Sequence, residues 1–343
     1  MPKFTIIVPT YNMSHYLDCC INSLKKQTYK DFEVILVDDC STDDSYSKCL
    51  KTTKEDLRFR VVQQKRNSGL SATRNLGIVN ARGKYLLFVD PDDYVENDLL
   101  EMVNNAITTD NVDIVTWGMY ANVIYSDGHE EIKQMSVNSN EDHIVIKPNK
   151  ADWEFFIQKL FFASTCNKVY KFDTIKKNNL QFDTECVDFE DLIFNATYIR
   201  FIKSYSVKQK AYYHYRQKIG QKATIKRSWG KVTPFAVSDK VYNACEILYN
   251  HLKNISCEYD NLMLYAFKSF MNEIEYNFRT KTFREFINIV SVLPKNSSYC
   301  KMLTYMNQPE IRKLILLLRV LTKMNLGRIQ ASLLWLSNKK NQR

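Results

Sequence analysis

Glycine and proline are scarce in this 343-residue chain, at 8 and 7 residues. The few glycines form no GxGxxG pattern and no GxxxxGKS or GxxxxGKT pattern. That argues against a backbone loop cradling a dinucleotide or triphosphate, so a bound diphosphate would need a metal and cationic side chains. The nine cysteines include no CxxC pair, and one is left over from any full pairing. This reads as reduced thiols facing a cytosol, not as a disulfide framework or a zinc site. No stretch approaches the roughly 18 apolar residues of a spanning helix, the longest strictly aliphatic run being Leu314–Leu318. The start, MPKFTIIVPTYN, turns polar too soon for the core of a secretory leader. No internal repeat and no low-complexity segment is visible.

What is present is an ordinary globular composition, 45% hydrophobic and 25% charged, rich in tyrosine (21) and phenylalanine (19). The net charge of +10 is uneven, because residues 220–343 carry 20 Lys and Arg against 8 Asp and Glu. An anionic partner would therefore meet the tail rather than the front of the chain.

The front half alternates strand and helix signals. Phe4–Val8, Glu33–Val37, Phe59–Val62, Tyr85–Val89 and Asp113–Trp117 read as buried strands. Helices are expected near 15–26, with Ser14 as its cap, near 71–81 and near 96–107. This rhythm predicts an α/β fold with a largely parallel sheet flanked by helices, whose ligands sit beyond the carboxyl ends of the strands. Those ends are Pro9–Asn12, Asp38–Asp43, Lys65–Gly69 and Asp90–Asp93, all polar or glycine-bearing. The middle is less regular: a hairpin turn at Tyr125–Gly128, helices at Asp152–Phe162 and Glu190–Ile199, and an alternating strand at Tyr212–Arg216. Beyond about 229 the pattern is helical, near 231–253, 259–279, 282–292 and 309–336.

Asp90, Asp92 and Asp93 directly follow a strand of buried type. Carboxylates this close repel, and a hard divalent cation relieves the repulsion. Mg²⁺ commonly takes one or two protein carboxylates plus substrate phosphates, which makes a diphosphate the natural co-ligand. The competing reading is acidic complementation of a helix dipole near Glu96.

The runs Val8-Pro9-Thr10-Tyr11-Asn12, Val37-Asp38-Asp39-Cys40-Ser41-Thr42-Asp43, Asn67-Ser68-Gly69-Leu70-Ser71-Ala72-Thr73-Arg74-Asn75-Leu76-Gly77 and Phe88-Val89-Asp90-Pro91-Asp92-Asp93 together resemble the family 2 glycosyltransferases of the GT-A fold. Order and spacing match over about residues 3–105, with weaker matches to about 224. One departure is Cys40, where the family often has glycine.

The resemblance implies a Rossmann-like nucleotide-diphospho-sugar transferase domain over 1–224, with a mixed sheet flanked by helices, then a helical region over 225–343. It implies an inverting enzyme that uses a UDP-sugar and Mn²⁺ or Mg²⁺. Pro9, Tyr11 and Asp39 would form the nucleobase pocket, with Asp39 accepting a base N–H, and Asn12 would also bind the nucleotide. Asn67 and Arg74 would line the nucleotide. Asp90 and Asp92 would hold ribose and metal, with Asp93 extending the metal set.

Inverting transfer also needs a base apart from the metal cluster. Phe189-Glu190-Asp191-Leu192-Ile193-Phe194 resembles the family's acidic pair before an apolar helix, making Asp191 the base and Glu190 the residue that orients the acceptor. Asp188 is the fallback. The competing reading is again dipole complementation. Tyr212-Tyr213-His214-Tyr215-Arg216 resembles the aromatic-Arg strand, in which His214 would complete the metal shell and Arg216 would neutralise diphosphate charge. A histidine packed and hydrogen-bonded among aromatics is the alternative. Lys222-Ala223-Thr224 replaces the family's usual Ser-Ile-Thr, though Lys218 and Lys222 remain in reach of a phosphate.

Residues 311–343 hold eight Lys and Arg and no acidic residue. On a helix, Arg312, Arg319 and Lys323 share one stripe and Ile311, Leu314, Ile315 and Leu318 another. The expectation is a cytoplasmic protein peripheral to the inner face of the membrane through anionic lipid, against a helix docked on the core. No nucleic-acid motif accompanies the charge. The acceptor expected is a glycan or lipid-linked oligosaccharide in surface polysaccharide synthesis. Two rivals are a sugar-nucleotide nucleotidyltransferase, which would want a glycine-rich basic loop after the first strand, and a non-catalytic adaptor, which would show a broken acidic cluster.

Overall fold

The computed structural model describes residues 1–135, 142–146, 164–186, 189–218, 236–252, 293, 296 and 298–300. The chain divides into two compact units, Met1–Lys226 and Arg227–Arg343.

In the first unit, β1 (Phe4–Thr10), β2 (Phe32–Asp38) and β4 (Tyr85–Phe88) are buried along their whole length. That is what continuous β-branched and aromatic runs give when helices cover both faces. With β3 (Phe59–Gln63) they pair in parallel. The helices between them are α1 (Ser14–Lys25), α2 (Ser45–Glu55) and α3 (Leu70–Asn80). Gly77 lets α3 approach β1 closely, since a Cβ there would fall on the Ile7 side chain.

The described strands form one ten-stranded sheet in the order β3-β2-β1-β4-β9-β6-β10-β5. The later members are β5 (Tyr94–Val95), β6 (Ile114–Ile124), β9 (Lys168–Lys171) and β10 (Ser204–Lys218). Strands β7 (Glu130–Met135) and β8 (His143–Ile146) attach to β6 and β10. β9 runs antiparallel between β4 and β6, while β6 and β10 are parallel. The sheet is therefore mixed, as the resemblance implies, and departs only from the largely parallel reading of the strand–helix rhythm. Strand order reverses at β1, flanked by β2 and β4, and such a switch point opens a crevice at the carboxyl ends.

Several boundaries differ from expectation for physical reasons. The helix expected from 96 is α4 (Leu99–Asp110). Residues 94–96 are taken by β10 pairing, with the Glu96 N–H donating to the Tyr212 carbonyl at 2.9 Å. Ser14 is the first helical residue rather than the cap, and its N–H is accepted by the Asp43 carboxylate at 3.0 Å. The hairpin at Tyr125–Gly128 joins β6 to β7, with Gly128 at φ +86°. Two further helices, α5 (Phe172–Lys177) and α6 (Glu190–Ile199), follow. In the second unit, α7 (Ala236–Leu252) lies within the helix expected at 231–253. The helices expected at 152–162, 259–279, 282–292 and 309–336 lie outside the described residues.

Candidate functional site

A cavity of about 940 Å³ opens at the carboxyl ends of β1, β2 and β4. It brings together Pro9, Tyr11, Asn12, Asp39, Asn67, Asp90 and Asp92, seven of the residues expected to bind nucleotide. Leu70, Thr73 and Met13 also line it, outside the expected set. Tyr11 is 41% exposed at the mouth, its ring free to stack.

Backbone geometry and side-chain hydrogen bonds hold the rim. Asn12 sits at φ +53°, and its Oδ1 accepts the Thr42 N–H at 2.8 Å, clasping the β1 and β2 loops together. Asp39 accepts the N–H groups of Ser68 and Gly69, both at 2.8 Å. Burial raises its carboxyl and these backbone donors work against the rise. Asp39 thus braces the β3–α3 loop, and a carboxylate's remaining lone pairs are what a base N–H would need.

The three clustered aspartates have separate environments. Asp92 lines the cavity and makes no ion pair among the described residues. Burial first, then Asp90, raises its carboxyl, and Arg216 opposes this. Asp93 is buried beneath the cavity wall. Its oxygens accept the Tyr213 hydroxyl at 2.6 Å and the Arg216 N–H at 2.8 Å. Burial, then Asp90 and Asp92, push it up to about 8. Asp90 accepts Arg74 Nη2 at 3.1 Å on one oxygen and the Cys166 thiol at 3.2 Å on the other.

Arg74 is set apart from its expected place on the nucleotide: its side chain is 2% exposed and does not line the cavity. Its Nη1 donates to Asp191 Oδ1 at 2.6 Å and to Glu190 Oε1 at 3.4 Å. The guanidinium also lies 5.2 Å from the Phe182 ring centroid. Asp191 Oδ2 accepts the N–H and hydroxyl of Thr165 at 3.0 and 3.1 Å. Burial, then Asp191, push Glu190 up to about 7, with Arg74 opposing. Phe189, at φ +68°, turns the chain so that both acids open α6. An aromatic residue in that region is strained, and such strain gathers at working sites. Asp188 lies outside the described residues.

His214 is packed and hydrogen-bonded. Its Nε2 meets Glu96 Oε1 at 2.9 Å, its Nδ1 meets Asn122 Oδ1 at 3.1 Å, and Tyr94 and Tyr120 stack on its two sides. Both ring nitrogens are committed, and among the described residues no three His, Cys, Asp or Glu side chains group as metal ligands. The Asp92, Asp93 and His214 set is thus not assembled here, because Asp93 is held by Tyr213 and Arg216 of β10 while His214 is held by Glu96 and Asn122. Arg216 lies over Tyr94 and Tyr16, 5.0 and 5.9 Å from their centroids, with Lys218 4.9 Å from the Tyr16 centroid. Neither makes an ion pair among the described residues.

Thr165 and Cys166, which hold Asp191 and Asp90, carry no sequence signal, since they precede a strand that periodicity did not reveal. Tyr213 stood in a recognised aromatic strand, yet its role requires knowing that β10 passes under Asp93.

The Glycosyl transferase family 2 profile matches residues 5–178. EpsJ of Bacillus subtilis, described as an uncharacterized glycosyltransferase, is 32% identical over 219 residues, covering 63% of this chain and 62% of its own. TarP of Staphylococcus aureus, a poly(ribitol-phosphate) β-N-acetylglucosaminyltransferase, is 32% identical over 218 residues, covering 62% of each chain. The chain spans less than two thirds of the length of these relatives. Residues 1–349 of S. aureus TarS, crystallised with UDP-GlcNAc, superpose with a TM-score of 0.66 at 21% identity, over 99% of this chain and 92% of that one. That likeness gives the fold as GT-A. With the profile covering half its length, the chain belongs to glycosyl transferase family 2.

Proposed function

We propose that this glycosyltransferase moves a sugar, with inversion, from a UDP-sugar to a hydroxyl of a glycan or lipid-linked acceptor in surface polysaccharide synthesis. One observation carries the reading. A single guanidinium, Arg74, touches both Asp90 on the donor cavity and Asp191 at the start of α6. The acid pair Glu190 and Asp191 thus lies one side chain away from Asp90 on the cavity wall, which supports reading it as the acceptor-side acids. TarS has been crystallised with UDP and with UDP-GlcNAc, and TarP is named for N-acetylglucosaminyl transfer, which supports this donor class.

In this reading Tyr11 stacks on the base, and Asp39 accepts a base N–H through lone pairs left by Ser68 and Gly69. The acceptor hydroxyl approaches from the α6 side, oriented by Glu190, and gives its proton to Asp191. The new glycosidic bond forms on the face opposite the breaking bond between C1 and the diphosphate oxygen. Arg216 and Lys218 offset the charge left on the nucleoside diphosphate.

The residues fit a divalent ion held by one protein carboxylate and the donor's phosphates. Of the three clustered aspartates, Asp92 faces the cavity without an ionic partner among the described residues, and its carboxyl is raised by burial first and then by Asp90, a repulsion that a cation relieves. Mn²⁺ or Mg²⁺ bound there would supply charge neutralisation for the departing diphosphate. The basic tail, outside the described residues, is the part proposed to meet an anionic membrane at the cytoplasmic face. Among the described residues, no helix is long and apolar enough to cross one.

A panel of UDP-sugars with Mn²⁺, read as slow donor hydrolysis, tests the activity. Asp191→Asn should abolish transfer while UDP still binds. A flat panel, or near-wild-type turnover in that variant, overturns the reading.

A further inference from the structure

We infer that Arg74 is a positioning residue that ties the donor-side carboxylate Asp90 to the acid pair Glu190 and Asp191. This rests on the functional reading above, but it moves Arg74 from nucleotide contact to the link between the two halves of the site.

The geometry separates these roles. Arg74 belongs to α3 and is fully walled in, with its Nε buried and unpartnered among the described residues. Nη2 faces the turn after β4 through Asp90, and Nη1 faces α6 through Asp191 and Glu190. A planar guanidinium can span two directions at fixed angles, which an ammonium cannot. Asp90 is completed by the Cys166 thiol and Asp191 by Thr165, both just before β9. Four segments thereby converge on one cation.

The charge balance carries the same message. Three carboxylates surround one buried guanidinium, so one acid retains a proton most easily. That acid is Glu190, which has the longest contact, 3.4 Å, and is pushed up to about 7 by burial and Asp191. The other groups facing the pair are Asp90, Cys166, Lys168 and Tyr170. Burial lowers Lys168 to about 7, and its Nζ donates to Asn167 Oδ1 at 2.7 Å, so it is a weak substitute cation. Arg74 is therefore the group that holds Asp191 in place, through the 2.6 Å hydrogen bond from Nη1.

The test compares wild type, Arg74→Lys and Arg74→Gln. UDP affinity is read by calorimetry and UDP-sugar turnover as a function of pH; Arg74→Lys covers the case in which Arg74→Gln does not fold. The expected result is a UDP Kd within about threefold of wild type in both, because the guanidinium does not face the cavity. Turnover falls roughly 100-fold in Arg74→Gln and about tenfold in Arg74→Lys. The ascending limb of the pH profile moves up by about one unit in Arg74→Gln, since a carboxylate without its cation holds its proton more tightly. A UDP Kd that worsens in step with turnover, or a limb that stays in place, overturns the inference. If wild type binds no UDP, the functional reading falls instead. A ¹³C carboxyl titration then decides the tie alone, with the Glu190 signal assigned by its loss in Glu190→Gln. An upward shift of that signal in Arg74→Lys supports the tie, and an unmoved one ends it.

Discussion

The Tyr213 hydroxyl donates to Asp93 Oδ2 at 2.6 Å and accepts the Asp90 N–H at 3.1 Å, fastening the acidic turn to β10 from beneath. Tyr213→Phe keeps the ring but leaves a buried N–H without its acceptor and a buried carboxyl short of a donor. Each such group costs about 1–3 kcal/mol, so for the two a loss of about 2–6 kcal/mol is expected. Urea denaturation should show a lower midpoint with an unchanged slope. A midpoint equal to wild type would mean that the Asp93 turn stands without β10.

Glu190 gives stability a pH dependence with a definite sign. Its ordinary value of 4.5 is raised to about 7 in the folded chain, by burial first and Asp191 second. The folded state thus holds this proton where the unfolded state has lost it. Stability from this group is complete below about 4.5 and falls as pH rises through about 7. The drop amounts to about 3 kcal/mol at most. Melting temperatures of wild type should fall across that window, and Glu190→Gln should flatten the slope. Parallel curves for the two proteins would contradict the assignment.

Cys40 holds φ +61° in the loop after β2, a region that costs a side-chain-bearing residue about 1 kcal/mol or more. Cys40→Gly removes that strain at the expense of a freer unfolded chain. The two terms nearly offset, leaving a change of zero to about 1 kcal/mol in favour of glycine. Cys40→Val, β-branched at positive φ, should destabilise by about 1–2 kcal/mol. Denaturant midpoints of the three proteins should rank glycine first and valine last.

Much of the nucleotide half was legible because it lies in order along the chain. Buried runs such as Phe4–Thr10 and Phe32–Asp38 announce strands, and a doubly wound sheet brings their polar ends together by rule. Helix α6 was legible from its acids and apolar face, down to its bounds at Glu190 and Ile199. Strand β9 was not, because four residues, Lys168–Lys171, fall below any usable period, and their pairing is set by β4 and β6. Helix α2 was missed because Ser45–Glu55 is mostly polar and buries only Ser45, Cys49 and Thr52. Asp93, His214 and the Arg74 bond to Asp191 depend on partners 92–123 residues away, and composition carries no trace of those.

Asp92 is the aspartate of the cluster that reaches the cavity without an ionic partner among the described residues, so the metal dependence of donor binding should run through it. Its carboxyl is raised by burial and by Asp90, which means that ionising it is costly until a cation arrives. Binding of UDP by wild type should weaken at least about tenfold on EDTA treatment and recover with Mn²⁺, since diphosphate and carboxylate then repel unshielded. Asp92→Asn removes the charge at nearly constant volume. Its UDP affinity should be modest and insensitive to EDTA, and turnover should fall by about 100-fold or more. Asp93→Asn should behave differently, because that side chain faces Tyr213 and Arg216 rather than the cavity. It should alter stability while keeping the response to Mn²⁺. Calorimetric titration of the three proteins, with and without metal, separates these outcomes. An Asp93→Asn protein that loses its Mn²⁺ response would place the ion on Asp93, with the turn reorganising on binding.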